Sequence, residues 1–153
     1  KRDKDGKTLA KKLSFLEILG PLLVLACAPT VVKGKNIKVW VDNSGAVEIW
    51  RKGYSRSCDL CTTVAKAIAL VASHLQCRID IVKIRRCSSN ETVMADALSK
   101  GDMQKFAKLW GKPLPDAKKI PKKLIKWLSN PLPSFYLGID ICNELDEMYD
   151  NHI

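Results

Sequence analysis

The sequence predicts an α/β domain, and three observations carry that expectation. Ile37, Val39 and Val41 recur at strand spacing. The strand runs directly into a helix that Asn43 or Ser44 can cap and that Gly53 can end, with Arg51 and Lys52 in its last turn. Further on, Ile79, Ile81, Val82 and Ile84 spread over both faces of a second strand, as in a sheet covered by helices. Asp42 follows the first strand at its carboxyl end, where ligands bind in sheets of this class, so position alone makes it a candidate site residue. A role as helix cap is its plain structural alternative.

Length and charge bound the function. The chain has 153 residues, enough to bury a core without disulfide staples. Its 26 Lys and Arg exceed its 16 Asp and Glu, for a formal charge of +10, which suits a polyanionic partner such as nucleic acid or a lipid headgroup surface. Solubility alone explains such a balance equally well. Six cysteines form no regular framework and residues 1–12 are mostly charged, with no secretory leader, so an intracellular compartment, cytoplasmic or nuclear, is expected. The opening Lys1-Arg2-Asp3-Lys4-Asp5-Gly6-Lys7 is not a methionine start and reads as a basic leader over residues 1–8 of a longer polypeptide.

The first helix is expected from Leu9 to Ala28, apolar on nearly every side. Leu13 to Val32 approaches the roughly 20 residues needed to cross a bilayer, but Glu17, Gly20, Pro21 and Pro29 interrupt it, and no membrane partner is expected. Pro21 deprives the Glu17 carbonyl of its helical hydrogen bond, which predicts a kink. Glu17 itself has Leu13, Ser14, Gly20 and Pro21 as helical neighbours and no local cation. Either it reaches solvent, or something distant satisfies it: a metal, a cation from another element, or water.

A third helix spans about Asp59 to Leu75, with Leu60, Val64, Ala67, Ile68, Val71 and Leu75 as its core stripe. Cys58 and Cys61 form a lone Cys-x-x-Cys at its start, and Cys77, Cys87 and His74 are too scattered to complete a zinc site. The strand over Arg78 to Arg85 follows. Ser88 with Glu91 resembles a capping box for the next helix, and Asn90 is a competing cap. On that helix Asp96 has an i,i+4 partner in Lys100.

Singly these carboxylates are ordinary; their order is not. Leu16-Glu17, Val41-Asp42-Asn43-Ser44, Arg51-Lys52-Gly53-Tyr54-Ser55, Arg85-Arg86-Cys87-Ser88 and Ala95-Asp96-Ala97-Leu98-Ser99-Lys100 together resemble the ribonuclease H domain of retrotransposon reverse transcriptases, especially tyrosine-recombinase-type and fungal elements. The likeness covers roughly residues 9–105. It implies a partial ribonuclease H-like fold and metal-dependent hydrolysis of the RNA strand in RNA–DNA hybrids, with Glu17, Asp42 and Asp96 as catalytic metal ligands. Magnesium, with manganese as the alternative, suits an all-oxygen site. Two such ions about 3.5–4 Å apart would activate a water and stabilise the leaving oxygen. Asn43, Lys52, Arg85, Arg86 and Lys100, which lie in the matching motifs, would contact the nucleic acid, mainly through backbone shape and 2'-hydroxyls.

The chain departs from the family in two places. The three antiparallel strands that open the family fold are not visible, and the first of these supplies a further aspartate; Asp3 and Asp5 sit in a charged run and are poor substitutes. An active-site histidine of some relatives is replaced by Arg86, Cys87 and Ser88. The resemblance therefore implies weak or absent catalysis unless an upstream reverse transcriptase segment or another chain supplies the strands. A non-catalytic nucleic-acid-binding or protein-docking module with the same fold is the alternative. Over residues 106–153, lysines around Pro113, Pro115 and Pro121 read as an extended basic connector, followed by short helices near Lys122–Leu128 and Leu137–Tyr149. The lysines either contact phosphate or are simply solvated.

Overall fold

In the computed structural model, residues 3–86, 88–114 and 116–150 are described, with side chains from residue 13 to 148 within them. Lys1 and Arg2 of the leader, Cys87 and Pro115 lie outside the described residues. The order is α1 (Asp3–Cys27), α2 (Pro29–Val32), β1 (Asn36–Val41), α3 (Ser44–Lys52), α4 (Asp59–His74), β2 (Arg78–Lys83), α5 (Asn90–Ser99), α6 (Met103–Trp110), α7 (Lys122–Ser129) and α8 (Leu137–Asp150). The protein is thus mixed α/β and mostly helical, with a two-stranded parallel sheet. No helix among the described residues is long and apolar enough to cross a membrane.

Parallel strands need a long crossover, and α3 and α4 provide it. Ile37 faces Ile79, Val39 faces Ile81 and Val41 faces Lys83 across the ladder. Val41, Ile79 and Ile81 are buried, with Ile37 and Val39 half-buried beside them, whereas Asn36, Lys38, Trp40, Arg78 and Asp80 are exposed. One face of the sheet is therefore covered, not both as the apolar run of β2 suggests. Val82 and Ile84 are only half-buried. Strand β1 has β2 as its one neighbour among the described residues, so its other edge presents unpaired backbone groups.

Local signals set the start of α3. The Asn43 side chain accepts a hydrogen bond from the Ala46 backbone N–H at 2.9 Å, and Gly53 closes the helix with φ of 79°, a conformation that glycine adopts without strain. Asn43→Ala should cost about 1 kcal/mol of stability, read as a lower urea midpoint at unchanged slope, while Asn43→Asp should cost little. Helix α5 is capped one residue later than expected: Ser89 accepts from the Thr92 N–H and Thr92 reaches back, so Ser89 with Thr92, rather than Ser88 with Glu91, forms the capping box.

The core is built on α4. Val64, Ala67, Ile68 and Val71 are buried along it, and it packs against α1, α8 and β2. Ile18, Leu22 and Leu25 of α1 enter the same cluster, and so do Leu124 of α7 and Leu137, Ile141 and Leu145 of α8. The carboxyl-terminal helices are consequently part of the core. Helix α6 falls where an extended basic connector is expected. Asp102 accepts from the Lys105 N–H at 3.1 Å and Gly111 ends the helix with φ of 65°, so ordinary caps outweigh the density of lysines. It buries none of its residues and packs on α5.

Candidate acidic site

Three separate elements deliver the carboxylates. Glu17 comes from the middle of α1, Asp42 from the residue after β1, and Asp96 from the second turn of α5. All three line one cavity of about 220 Å³ at the carboxyl end of the strands, together with Ile84, Arg85 and Arg86. A neighbouring depression continues past Glu17 and Asp42 to Asn43 and Lys83. Sequence-predicted Glu17, Asp42, Asp96, Arg85 and Arg86 are therefore brought together.

Cations already engage two of the three acids. The Arg86 Nε donates to Asp42 Oδ2 at 2.9 Å, and Lys83 Nζ donates to the Asp42 backbone carbonyl at 2.6 Å. Lys100 Nζ lies 2.9 Å from Asp96 Oδ2, the i,i+4 pair expected from the sequence. The Lys100 hydrogen bond holds the Asp96 carboxyl below its ordinary value, with Arg86 and Lys105 contributing at longer range. Lys83 and Lys105 were not legible as site residues. Lys83 becomes so only once the ladder places it opposite Val41, next to Asp42.

Glu17 is in the opposite situation. Burial pushes its carboxyl above the ordinary 4.5, the Asp42 carboxylate pushes it further, and Arg86 offsets part of the rise. A raised acid means that the folded state holds its proton more firmly than the unfolded one, so stability falls as pH climbs from 4.5 through the raised value. Glu17→Gln should therefore match the parent near about pH 4 and exceed it at neutral pH, by less than about 1 kcal/mol because the group is partly exposed to solvent. Urea midpoints at the two pH values check this; a glutamine variant less stable than the parent at neutral pH contradicts it.

Two of the expected nucleic-acid contacts have other engagements. Lys52 pairs with Glu48 at 2.8 Å on the exposed side of α3 and lines a different cavity. Asn43 spends its side-chain oxygen on the α3 cap, at the edge of the neighbouring depression.

The donor chemistry suits a hard divalent ion: all oxygen, all carboxylate, in one cavity. The arrangement does not complete a site. Among the described residues no three His, Cys, Asp or Glu side chains are grouped to hold a metal ion, and Arg86 and Lys100 occupy the charge that an ion would neutralise. Compared with family models, with curated proteins and with solved structures, the chain gives no match to any.

Proposed function

We propose that this chain is a ribonuclease H-type domain of a retroelement polyprotein, which presents Glu17, Asp42 and Asp96 to the backbone of an RNA–DNA hybrid and lacks a complete metal centre of its own. The observation that carries the reading is the convergence of these three carboxylates, from α1, the end of β1 and α5, on one cavity. The element order supports a ribonuclease H-like fold: a helix with Glu, a strand ending in Asp, a helical crossover, a parallel strand, and a helix with Asp. The unpaired edge of β1 leaves room for the further strands that the family fold needs.

Because the donors do not form a full ligand set, no hydrolytic step is assigned to the chain alone. Its own residues bind and orient. Arg85 and Arg86 border the acids and can pair with phosphate, and Lys105 of α6 acts on Asp96 from longer range. Magnesium or manganese would supply the hydrolytic chemistry once the site is completed.

The test is hybrid cleavage in magnesium by the chain alone and by the chain joined to three antiparallel strands ahead of α1, the first bearing an aspartate. The chain alone should bind hybrid without cutting it. The joined protein should cut, and Asp42→Asn should slow it by at least about 100-fold, the scale of several kcal/mol of lost transition-state stabilisation. Unchanged cleavage by that variant removes the assignment. A second reading, a non-catalytic nucleic-acid-binding or docking module, is favoured by Arg86 on Asp42 and Lys100 on Asp96, cations where an active site would want metal. A joined protein that folds and binds hybrid yet never cuts it supports that reading.

A further inference from the structure

Away from the acids, between α1, α3 and the turn into α4, lies a cavity of about 650 Å³ lined by Ser14, Lys52, Tyr54, Arg56, Cys58 and Cys61. The two cysteines are the Cys-x-x-Cys that opens α4. Cys58 is the N-cap residue, half-buried, and its Sγ accepts the Cys61 backbone N–H at 3.3 Å. Cys61 sits one turn into the helix with no exposed surface. Burial, with the neighbouring Cys58 thiol adding to it, pushes the Cys61 thiol up to about 12.

The pair is asymmetric. Both residues line the cavity, but Cys58 is half-buried and its sulfur has a helix N–H aimed at it, whereas Cys61 is fully buried and held protonated. Zinc is a poor occupant, because among the described residues no third ligand joins the two cysteines. Arg56, at the cavity wall, has no ion-pair partner among the described residues. Glu48 and Lys52, which also line the cavity, pair with each other, so the Arg56 charge is left to favour an anionic reactant at that wall.

We propose that Cys58 and Cys61 are a redox-active dithiol that closes to a disulfide by exchange with an anionic low-molecular-weight disulfide of the glutathione class, entering through this cavity. The Cys58 thiolate attacks one sulfur of the small disulfide, whose S–S bond breaks to release one thiolate and leave a mixed disulfide on Cys58. Cys61 loses its proton as its sulfur attacks Cys58 Sγ, and the second small thiolate departs. Two protein thiols are thereby oxidised by two electrons, one small disulfide is reduced to two small thiols, and the protons released from Cys58 and Cys61 end on them. In a reducing compartment the dithiol is the resting form and the disulfide a transient one. The turn is held for this chemistry, since the Thr62 hydroxyl accepts the Ser55 N–H at 2.9 Å and donates to the Ser55 carbonyl at 3.2 Å.

The test exposes the reduced 153-residue chain to glutathione disulfide and follows intact mass and the positions protected from alkylation. The parent should lose the mass of two hydrogens, with Cys58 and Cys61 protected and no glutathionyl group retained. Cys61→Ala should stop at a glutathionyl group on Cys58. Cys58→Ser keeps an N-cap oxygen and hence the fold, and it should leave Cys61 a free thiol. A parent that retains glutathione on Cys58, or that reacts first at Cys27, Cys77 or Cys142 while Cys58 stays reduced, overturns the proposal. So does a parent that stays fully reduced under conditions that oxidise a dithiol peptide of the same sequence.

Discussion

Ile141→Ala should lower the free energy of unfolding by about 2–5 kcal/mol, the range for removing a large aliphatic side chain from a packed interior. Ile141 has no exposed surface and lies on α8, which packs against α4 and α7. It belongs to the same core cluster as Ile68 of α4, so truncation leaves a cavity in the packing of α8 against α4 and α7. Domains of this size are stable by roughly 5–15 kcal/mol, and the loss is a large share of that. Urea titration reads it as a lower midpoint with an unchanged slope. Ile139→Ala, two residues away and 44% exposed, is the control and should stay within about 0.5 kcal/mol of the parent. Equal midpoints for the two variants would mean that the carboxyl-terminal helix hangs on the domain as a tail.

What the sequence could reveal follows the range of the forces involved. Asn43 as a cap, Gly53 as a terminator, the α4 stripe and the Asp96–Lys100 pair all depend on residues within one helix, and each is found in place. The α5 cap lies one residue later because Ser88, Ser89 and Asn90 offer three capping side chains in a row, and it is Ser89 that forms the reciprocal pair with Thr92. Helix α6 was hidden by its composition. Lys105, Lys108 and Lys112 suggest a solvated linker, while Asp102, the Phe106–Trp110 stack and Gly111 are the helix signals. For α8 the apolar face was readable, but not its partner, since nothing local says that Ile141 meets the α4 surface. The Arg86–Asp42 contact bridges 44 positions, and only the parallel register brings them together. Apolar residues on both faces of β2 suggested a sheet covered on two sides; Val82 and Ile84 are instead the half-covered margin of a sheet buried on one.

Arg86→Ala and Asp42→Asn should move divalent-ion binding in opposite directions. Asp42 lies close enough to Glu17 to raise its carboxyl, so the pair concentrates negative charge in a small cavity, and the Arg86 guanidinium is the cation paired with the Asp42 carboxylate. A divalent ion entering the cavity competes with that guanidinium and is repelled by it. With the Arg86 side chain largely in solvent, repulsion across several ångströms amounts to about 1–2 kcal/mol, so alanine there should tighten manganese binding on the order of tenfold. Asparagine at position 42 removes one of the two adjacent charges and an oxygen donor, and should abolish binding at millimolar concentrations. Paramagnetic broadening by manganese reads both effects, because resonances of Glu17, Asp42 and Asp96 should fade before those of the acidic residues on α8. The same Arg86→Ala substitution should weaken hybrid binding and flatten its salt dependence by roughly one phosphate contact. That pairing separates a cation that merely neutralises an acidic cavity from one that also holds nucleic acid over it. If manganese broadens α8 first in the parent and neither variant changes the pattern, the cavity is not the ion site, and the Arg86 contact with Asp42 is structural.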